Sequence, residues 1–284
     1  MPENNTFIEE IMVESISEFL DAVVKINSKT NSFSGAIYRG QSNDKWLISS
    51  GLSRQCKLKH DPDKLTTAMR AFQIFDTERH GYYDFKDNTP WEVLTLAQHF
   101  GLPTRLLDWT LSPTVALYFA LDGVRFHRKL RKELSKSELL DLRKPQPIDS
   151  DYIGIAENHA AVYMIPNSSP DSDVPWVRGS QLAEIDVFSK VPDAEKHGFC
   201  VFTPNLTNNR IKCQSGVFTI GINPADTFPS NKCYKITLHK KAIAEMRAGL
   251  VTLNIGAKSV YGDLEGLCRD LAFTHHGGFS NRFV

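Results

Sequence analysis

Hydrophobic positions along the chain change between strand-like alternation and helical spacing. The run EIMVE at residues 10–14 is typical of a short strand, and Ser15-Ile16-Ser17-Glu18 has the form of a capping box, in which Ser15 begins a helix. Apolar side chains then recur at helical spacing to about residue 27. Residues 1–30 are therefore predicted to be a strand-helix lead-in to the rest of the chain.

Further elements follow in a mixed order. GAIYRGQ at residues 35–41 predicts a strand, residues 64–83 and 91–100 predict helices, and TRLLDW at residues 104–109 predicts a buried strand. Ser112, followed by proline, is typical of a helix N-cap. The last third is strand-rich and closes with two helices. Because strands and helices alternate without a βαβ rhythm, the pattern indicates an α+β fold.

Two stretches differ from this regular pattern. Proline- and serine-rich segments flank the predicted strand AAVYMIP, so residues 145–180 are predicted to hold a loop-rich insertion. Residues 125–144 are basic and amphipathic, with Glu133, Glu138 and Asp141 interleaved. We interpret residues 125–144 as a solvated helix face, and a nucleic-acid contact is the alternative.

The composition of the chain mainly excludes certain partners and kinds of site. The 284 residues suffice for one large domain, and we expect a single domain over residues 1–284. Lysine plus arginine equal aspartate plus glutamate at 33 each, so no global field attracts nucleic acid or an anionic membrane. The first 25 residues carry acids and no uninterrupted apolar stretch, which predicts a cytoplasmic protein without a membrane partner. Five widely spaced cysteines predict reduced thiols and no metal site.

Common catalytic motifs are missing from the sequence. There is no GxxxxGK[ST] loop to cradle phosphates, no GxGxxG, no HExxH and no GxSxG elbow. Three other blocks place polar residues where a core strand would be apolar. The first is Tyr38-Arg39-Gly40, where the glycine permits close approach of a ligand to the backbone and Arg39 presents a guanidinium fork. The alternative is an arginine that leaves the strand for solvent or a salt bridge.

The second block surrounds the predicted junction of a strand and a helix. Thr104, Arg105, Asp108, Trp109 and Thr110 lie there, and the free amides of the following helix can hold an anion. The alternative is that an acid or threonine caps the helix, the arginine forms an ion pair and the tryptophan fills the core. His99, just upstream, is a candidate for proton transfer or for helix capping.

The third block is RIKCQSGVF, residues 210–218. Read as a strand, it places Arg210, Lys212 and Gln214 on one face, opposite an apolar face. If the polar face lines a cleft, Gln214 can orient a sugar or an amide by hydrogen bonding. If it faces water, it is simply solvated.

These blocks together resemble the FRG domain family, named for a [FY]RG motif. The resemblance rests on YRGQ with the following W-x-I-x-S-G-L-x-R, then QHFGLPTRLLDWTLSPTVALYFAL, RIKCQSGVFT and YGDLEGLCRDL. Order and spacing are similar to the family from about Glu10 to Leu271. The resemblance implies a bacterial protein associated with mobile elements, in a toxin or phage-defence context.

The layout also resembles the ADP-ribosyltransferase superfamily. That resemblance implies a split mixed sheet flanked by helices, NAD as substrate and no metal. By position, it implies that Arg39, Asp108 and Gln214 are catalytic. Arg39 would clamp an oxygen of NAD, Thr110 would brace the site, and Trp109 or Tyr118 would stack on nicotinamide. The full set of implied ligand-binding residues is Tyr38, Gly40, Thr104, Arg105, Trp109, Thr110, Tyr118 and Arg210.

The chain departs from the superfamily pattern in its late strand. Gln214-Ser215-Gly216 stands where the superfamily has a catalytic glutamate, and an amide supplies no charge to an oxocarbenium-like transition state. Either Asp108 or another acid takes that role, or the chain binds without transferring. The alternative function is a non-catalytic nucleotide- or nucleic-acid-binding module that uses Arg39, Arg105, Arg210 and residues 125–144. The target of any modification stays open.

Overall fold

The computed structural model describes residues 6–32, 35–56, 62–82, 89–137, 146–147, 152–166, 174–205 and 209–276. Strands β1 to β11 are Glu10–Val13, Ile37–Gln41, Leu107–Thr110, Phe126–Leu130, Gln146–Pro147, Tyr152–Ala156, Ala160–Ile165, Trp176–Arg178, Phe199–Thr203, Gly216–Gly221 and Tyr234–Leu238. Helices α1 to α9 are Ile16–Thr30, Gly51–Gln55, Pro62–Glu78, Pro90–His99, Pro113–Asp122, Asn209–Gln214, Ile243–Thr252, Ala257–Tyr261 and Leu264–His275. Single 3-10 turns lie at Arg79–Gly81, Arg131–Glu133, Pro192–Ala194, Ser230–Lys232 and Lys240–Ala242.

Local sequence signals explain several of these boundaries. The Ser15 hydroxyl accepts a hydrogen bond from the Glu18 amide at the beginning of α1, and Ser112 accepts one from the Val115 amide at the beginning of α5. Thr89 and Glu92 form a reciprocal capping box on α4. The predicted N-caps Ser15 and Ser112 are confirmed.

The strands form two sheets. In the part of the chain described, eight strands lie in the order β1-β11-β7-β2-β3-β10-β9-β8, and three form a separate sheet in the order β4-β6-β5. The pairs β1 with β11 and β8 with β9 are parallel, and the remaining pairs are antiparallel. Helices flank the large mixed sheet, which confirms the predicted α+β class.

The predicted helix face over residues 125–144 is absent from the first part of that stretch, residues 125–130. Phe126–Leu130 is strand β4, which pairs with β6 in the small sheet, and residues 138–144 lie outside the described residues. Because Phe126 is buried in the core, the apolar positions of this stretch anchor a strand. In the predicted insertion, residues 148–151 and 167–173 lie outside the described residues, whereas the predicted strand AAVYMIP is β7, in the middle of the large sheet.

The middle of the large sheet is joined by a single residue pair. Strand β2 pairs with β7 along its whole length, from Ile37 to Gln41. On its other side β2 pairs with β3 only at Tyr38 and Thr110. Beyond that pair the two strands no longer form a ladder, so an opening is left between them in an otherwise continuous sheet.

Helix α5 packs directly on β2 at Gly40. A Cβ atom on Gly40 would lie 2.0 Å from the carbonyl oxygen of Ala116 and 2.5 Å from the amide nitrogen of Ala120. The sequence predicted that this glycine admits a ligand. Instead, the position that its side chain would occupy is filled by the backbone of α5, so the glycine allows close helix-to-strand packing.

We expect Gly40→Ala to lower the free energy of unfolding by about 3 kcal/mol, because the methyl group would displace helix backbone. Gly81→Ala is the control, since a Cβ there meets no atom within 4 Å. The control should stay within about 1 kcal/mol of the parent. Urea unfolding of the two variants checks this, and equal midpoints would show that α5 does not pack on β2 as described.

Candidate functional site

A large cavity opens where β2 and β3 separate. Its volume is about 1080 Å³, just above the range of about 300–1000 Å³ that is usual for small-molecule sites. Its walls come from β2, β3 and β10, the loops after β2 and β10, and helices α2, α4, α5 and α6. These elements are far apart in sequence, and the sheet opening brings them to one place.

Eight of the predicted site residues line this cavity: Tyr38, Arg39, Gly40, Asp108, Trp109, Thr110, Arg210 and Gln214. Thr104, Arg105 and Tyr118 do not line it. The first turn of α5, which was predicted to hold an anion, is absent from the wall too, although Phe119 further along that helix contributes. The amide of Val115 in that turn is satisfied by the Ser112 cap, so the predicted anion site does not coincide with the cavity.

Arg39 is held at the opening by the neighbouring strand. Its Nη1 donates a hydrogen bond to the backbone carbonyl of Asp108 at 2.7 Å. Its Nε is buried and has no partner. Burial lowers the pKa of Arg39, while the Asp108 carboxylate acts in the opposite direction and Arg54 adds to the lowering. The guanidinium remains a cation with one unused donor at the cavity.

Asp108 is the exposed position of β3, and its carboxylate is oriented by a short hydrogen-bond chain. Gln98 Nε2 donates to Asp108 Oδ1 at 2.8 Å, and Thr104 Oγ1 donates to Gln98 Oε1. Thr104 is therefore a positioning residue that fixes the amide of Gln98, rather than a ligand contact as predicted. A carboxylate held in this way keeps its remaining oxygen for the cavity.

Arg210 and Gln214 reach the cavity from a helix. The sequence was interpreted as a strand over this block, but Asn209–Gln214 is α6, and the strand begins only at Gly216. Residues four apart lie on one helix face, so Arg210 and Gln214 both line the cavity, whereas Lys212 is exposed elsewhere. Lys212, which was predicted to share a polar face with Arg210 and Gln214, therefore does not line the cavity.

Helix α6 is fixed to β3 at its end. Thr110 Oγ1 donates to the backbone carbonyl of Gln214 and accepts from the amide of Ser112. Ser215 follows with φ of 46°, a left-handed conformation that turns the chain from helix to strand. The Nε2 of Gln214 is buried without a partner. The amide group thus offers a free donor beside Thr110.

His99 and Arg210 form one side of the cavity wall. Burial lowers the pKa of His99, and Arg210 lowers it further, whereas Asp263 and Glu265 act in the opposite direction. The imidazole is therefore neutral at pH 7 and can accept a proton. The guanidinium of Arg210 lies 4.4 Å from the ring centroid of Tyr261, a cation–π contact that holds it in position.

Arg105 has a structural role. Its guanidinium is buried and donates to the backbone carbonyls of Val187, Ser189, Gly221 and Ile222 at 2.6 to 3.2 Å. Burial lowers its pKa to about 10, so it remains charged at neutral pH. The prediction that it contacts a ligand is wrong, because both of its terminal nitrogens already hold four acceptors away from the cavity.

Three predicted aromatic contacts belong to the core. Tyr118 is fully buried under Arg247, whose guanidinium lies 4.7 Å from the ring centroid, and burial raises the pKa of its hydroxyl. Trp109 is buried, and its Nε1 donates to Thr219 Oγ1 at 3.0 Å. The ring of Tyr38 packs in the hydrophobic cluster with α1 and α5. None of these rings is free to stack on a ligand.

Several cavity residues were missed by the sequence analysis. Lys45, Trp46 and Arg54 line the wall from the loop after β2 and from α2, and Gln98 lines it from α4. Gln41, at the end of β2, is also part of the wall. The one available signal was the polar residue directly after the YRG motif, because alternation along β2 places Gln41 on the same strand face as Arg39.

The cavity is rich in positive charge. Four basic side chains line it, Arg39, Lys45, Arg54 and Arg210, against the single carboxylate of Asp108 among the described residues. No residue of the described part of 125–144 lines it. Within the same described ranges, no group of three metal-ligating side chains is present, and none of the five cysteines forms a disulfide. No helix in the described ranges is long and apolar enough to cross a bilayer.

The described residues thus form an α+β fold with a cationic cavity at a sheet opening. Comparison with protein families identifies the segment that contains most of this cavity. Residues 34–129, about a third of the chain, match the family model of the FRG domain. No curated protein and no solved structure matches the chain.

Proposed function

We propose that the cavity binds NAD and cleaves the bond between nicotinamide and ribose, passing ADP-ribose to water or to a target molecule. The observation that carries this proposal is the arrangement of four cations around one oriented carboxylate, in a cavity large enough for a dinucleotide. The cations match a diphosphate, and the carboxylate matches the positive charge that develops on the ribose as the bond breaks.

The diphosphate is assigned to the part of the cavity around Arg39. This guanidinium lies at the sheet opening and has an unused Nε donor, and Arg54 is close enough to influence its pKa. Two adjacent cations repel each other, and this repulsion is relieved when an anion binds between them. A bound diphosphate therefore gains charge-assisted hydrogen bonds from groups that are already in place.

The reaction is assigned to the part of the cavity around Asp108. As the glycosidic bond breaks, its electron pair leaves with the nicotinamide nitrogen, which becomes neutral, and the anomeric carbon becomes cationic. The Asp108 carboxylate, held by Gln98, stabilises that charge. The acceptor oxygen then attacks the anomeric carbon, and its proton passes to the neutral imidazole of His99. Gln214 Nε2 donates to a ribose hydroxyl.

The resemblance to ADP-ribosyltransferases supports this assignment in part. An arginine on an early strand and a threonine on the next strand beside a helix lie at one cavity, at a sheet that is joined by a single pair in its middle. The chain departs from that pattern where Gln214 stands in place of a glutamate. In this proposal Asp108, on β3, supplies the negative charge.

The absence of that glutamate also favours a second candidate, a non-catalytic nucleotide-binding module. It would use the same cations and the same cavity, and it differs only in leaving NAD intact. The nucleic-acid version of this alternative loses support, because the described part of the basic stretch 125–144 does not adjoin the cavity. Turnover of NAD separates the two candidates.

Binding tests the proposal first. We expect calorimetric titration with NAD to show one site, and Arg39→Gln to weaken it by about 10- to 100-fold, because a charge-assisted hydrogen bond contributes about 1.5–3 kcal/mol. Arg70→Gln, on the exposed face of α3, is the matched control and should bind as the parent does. Absence of NAD binding in the parent protein would contradict the proposal.

A further inference from the structure

The side-chain amide of Gln41 has a partner for its donor but none for its acceptor. Gln41 is 7% exposed and lines the cavity. Its Nε2 donates to the backbone carbonyl of Leu47 at 3.3 Å, and its Oε1 is buried without a partner. Because the atom facing a carbonyl must be the nitrogen, the oxygen is left facing elsewhere. A buried acceptor without a partner costs about 1–3 kcal/mol, so a ligand N–H donor would be favourable there.

A flat aromatic surface lines the same cavity as this acceptor. Trp46, next to the residue that Gln41 binds, lines the same cavity with its side chain 55% exposed. Aromatic side chains of this kind stack on planar bases.

The sheet register places Gln41 on the face opposite Asp108. Tyr38 pairs with Thr110, so Asp108, two residues from Thr110, shares the Tyr38 face, whereas Arg39 and Gln41 point to the opposite face. Gln41 follows Arg39 on that face, about 7 Å along the strand at about 3.3 Å per residue. Because β2 and β3 are antiparallel, Asp108 lies at the level of Gly40, between these two residues but on the other face. A dinucleotide whose diphosphate lies at Arg39 and whose reacting ribose reaches Asp108 through the sheet opening therefore has its other base on the Arg39 face, where Gln41 lies.

We infer that Gln41 and Trp46 form an adenine subsite, in which Gln41 Oε1 accepts a hydrogen bond from the exocyclic amino group while the ring stacks on Trp46. This inference rests on the proposed function, because NAD binding defines which end of the ligand reaches Gln41. The subsite selects for an amino group at that ring position and against an oxo group, since two acceptors would then face each other.

The test compares three dinucleotides by calorimetry on the intact protein. These are NAD, nicotinamide hypoxanthine dinucleotide, in which an oxo group replaces the adenine amino group, and 3-acetylpyridine adenine dinucleotide, in which a methyl group replaces the carboxamide nitrogen. We expect the hypoxanthine form to bind about 10- to 100-fold more weakly than NAD, and the acetylpyridine form to bind within about threefold. Gln41→Met should reduce the difference between NAD and the hypoxanthine form to about threefold. Gln73→Met, on the exposed face of α3, is the control that should preserve it.

Each outcome has a distinct meaning. Equal binding of NAD and the hypoxanthine form by the parent would overturn the subsite while leaving NAD binding intact, and this comparison needs no variant to fold. Weaker binding of the acetylpyridine form alone would place the carboxamide at Gln41 and overturn the adenine assignment. If NAD does not bind, the proposed function fails, and adenosine and inosine monophosphates then test the subsite alone, where equal or absent binding overturns it.

Discussion

Asp108→Asn is expected to reduce nicotinamide release from NAD by about 10²- to 10³-fold while leaving NAD affinity within about threefold of the parent. The asparagine oxygen can still accept the hydrogen bond from Gln98, and the bond from Arg39 goes to the backbone, so the architecture is kept. Only the negative charge is removed. Because that charge acts mainly in the transition state, the loss should appear in kcat rather than in KM.

The control for this variant is Asp63→Asn, which removes an exposed carboxylate from the first turn of α3. It should release nicotinamide at the parental rate. Thermal unfolding of both variants establishes that each is folded. If Asp108→Asn binds NAD and releases nicotinamide at the parental rate, Asp108 does not take part in the reaction. The described cavity residues offer no other carboxylate for that role.

Arg105→Met is expected to lower the free energy of unfolding by about 3–5 kcal/mol. The guanidinium binds four backbone carbonyls from two segments, around residues 187–189 and 221–222. Methionine has similar length but no donor, so four backbone carbonyls lose the hydrogen bond from the guanidinium at once. Arg105→Lys should recover only part of the loss, because one ammonium group cannot span all four carbonyls.

Urea unfolding measures this effect, with Arg70→Met as the matched change at an exposed arginine. That control should shift stability by less than about 0.5 kcal/mol. NAD affinity of Arg105→Met, measured at a temperature where the variant is folded, should equal that of the parent. A stable Arg105→Met protein with weakened NAD binding would restore Arg105 as a ligand contact.

Local signals in the sequence were sufficient for much of the fold. Ser15 and Ser112 begin their helices because a hydroxyl satisfies a free amide within three residues, and such contacts can be recognised from sequence spacing alone. The strand assignment for GAIYRGQ also held, since Ile37–Gln41 is β2. Both depend on neighbours that are close in the chain.

The helix at residues 209–214 could not be predicted from neighbouring residues alone. Polar residues at every second position were read as a strand face, but Arg210 and Gln214 also fit one helix face, and the sequence did not decide between the two periods. The end of the helix is fixed by Thr110, about a hundred residues away, which bonds to the Gln214 carbonyl. A long-range contact therefore determined the local structure.

The direction in which a polar side chain points could not be predicted from the sequence either. Arg105 and Asp108 lie three residues apart in one motif, yet Arg105 serves backbone carbonyls more than eighty residues away and Asp108 faces the cavity. The local sequence could not distinguish the structural role of Arg105 from the cavity role of Asp108, because both are polar residues at a strand that is otherwise apolar. Tyr118 and Trp109 were likewise predicted to stack on a ligand, although both rings are buried against core residues.

The most direct test of the account is the release of nicotinamide from NAD by the purified protein, followed by chromatography with and without a cell extract as a source of acceptors. Asp108→Asn serves as the blank for activity in the extract itself. The account predicts release that requires Asp108 and yields one ADP-ribose, free or attached to an acceptor, for each nicotinamide. If NAD binds and stays intact in both conditions, the cavity is a nucleotide-binding site without transferase or hydrolase chemistry.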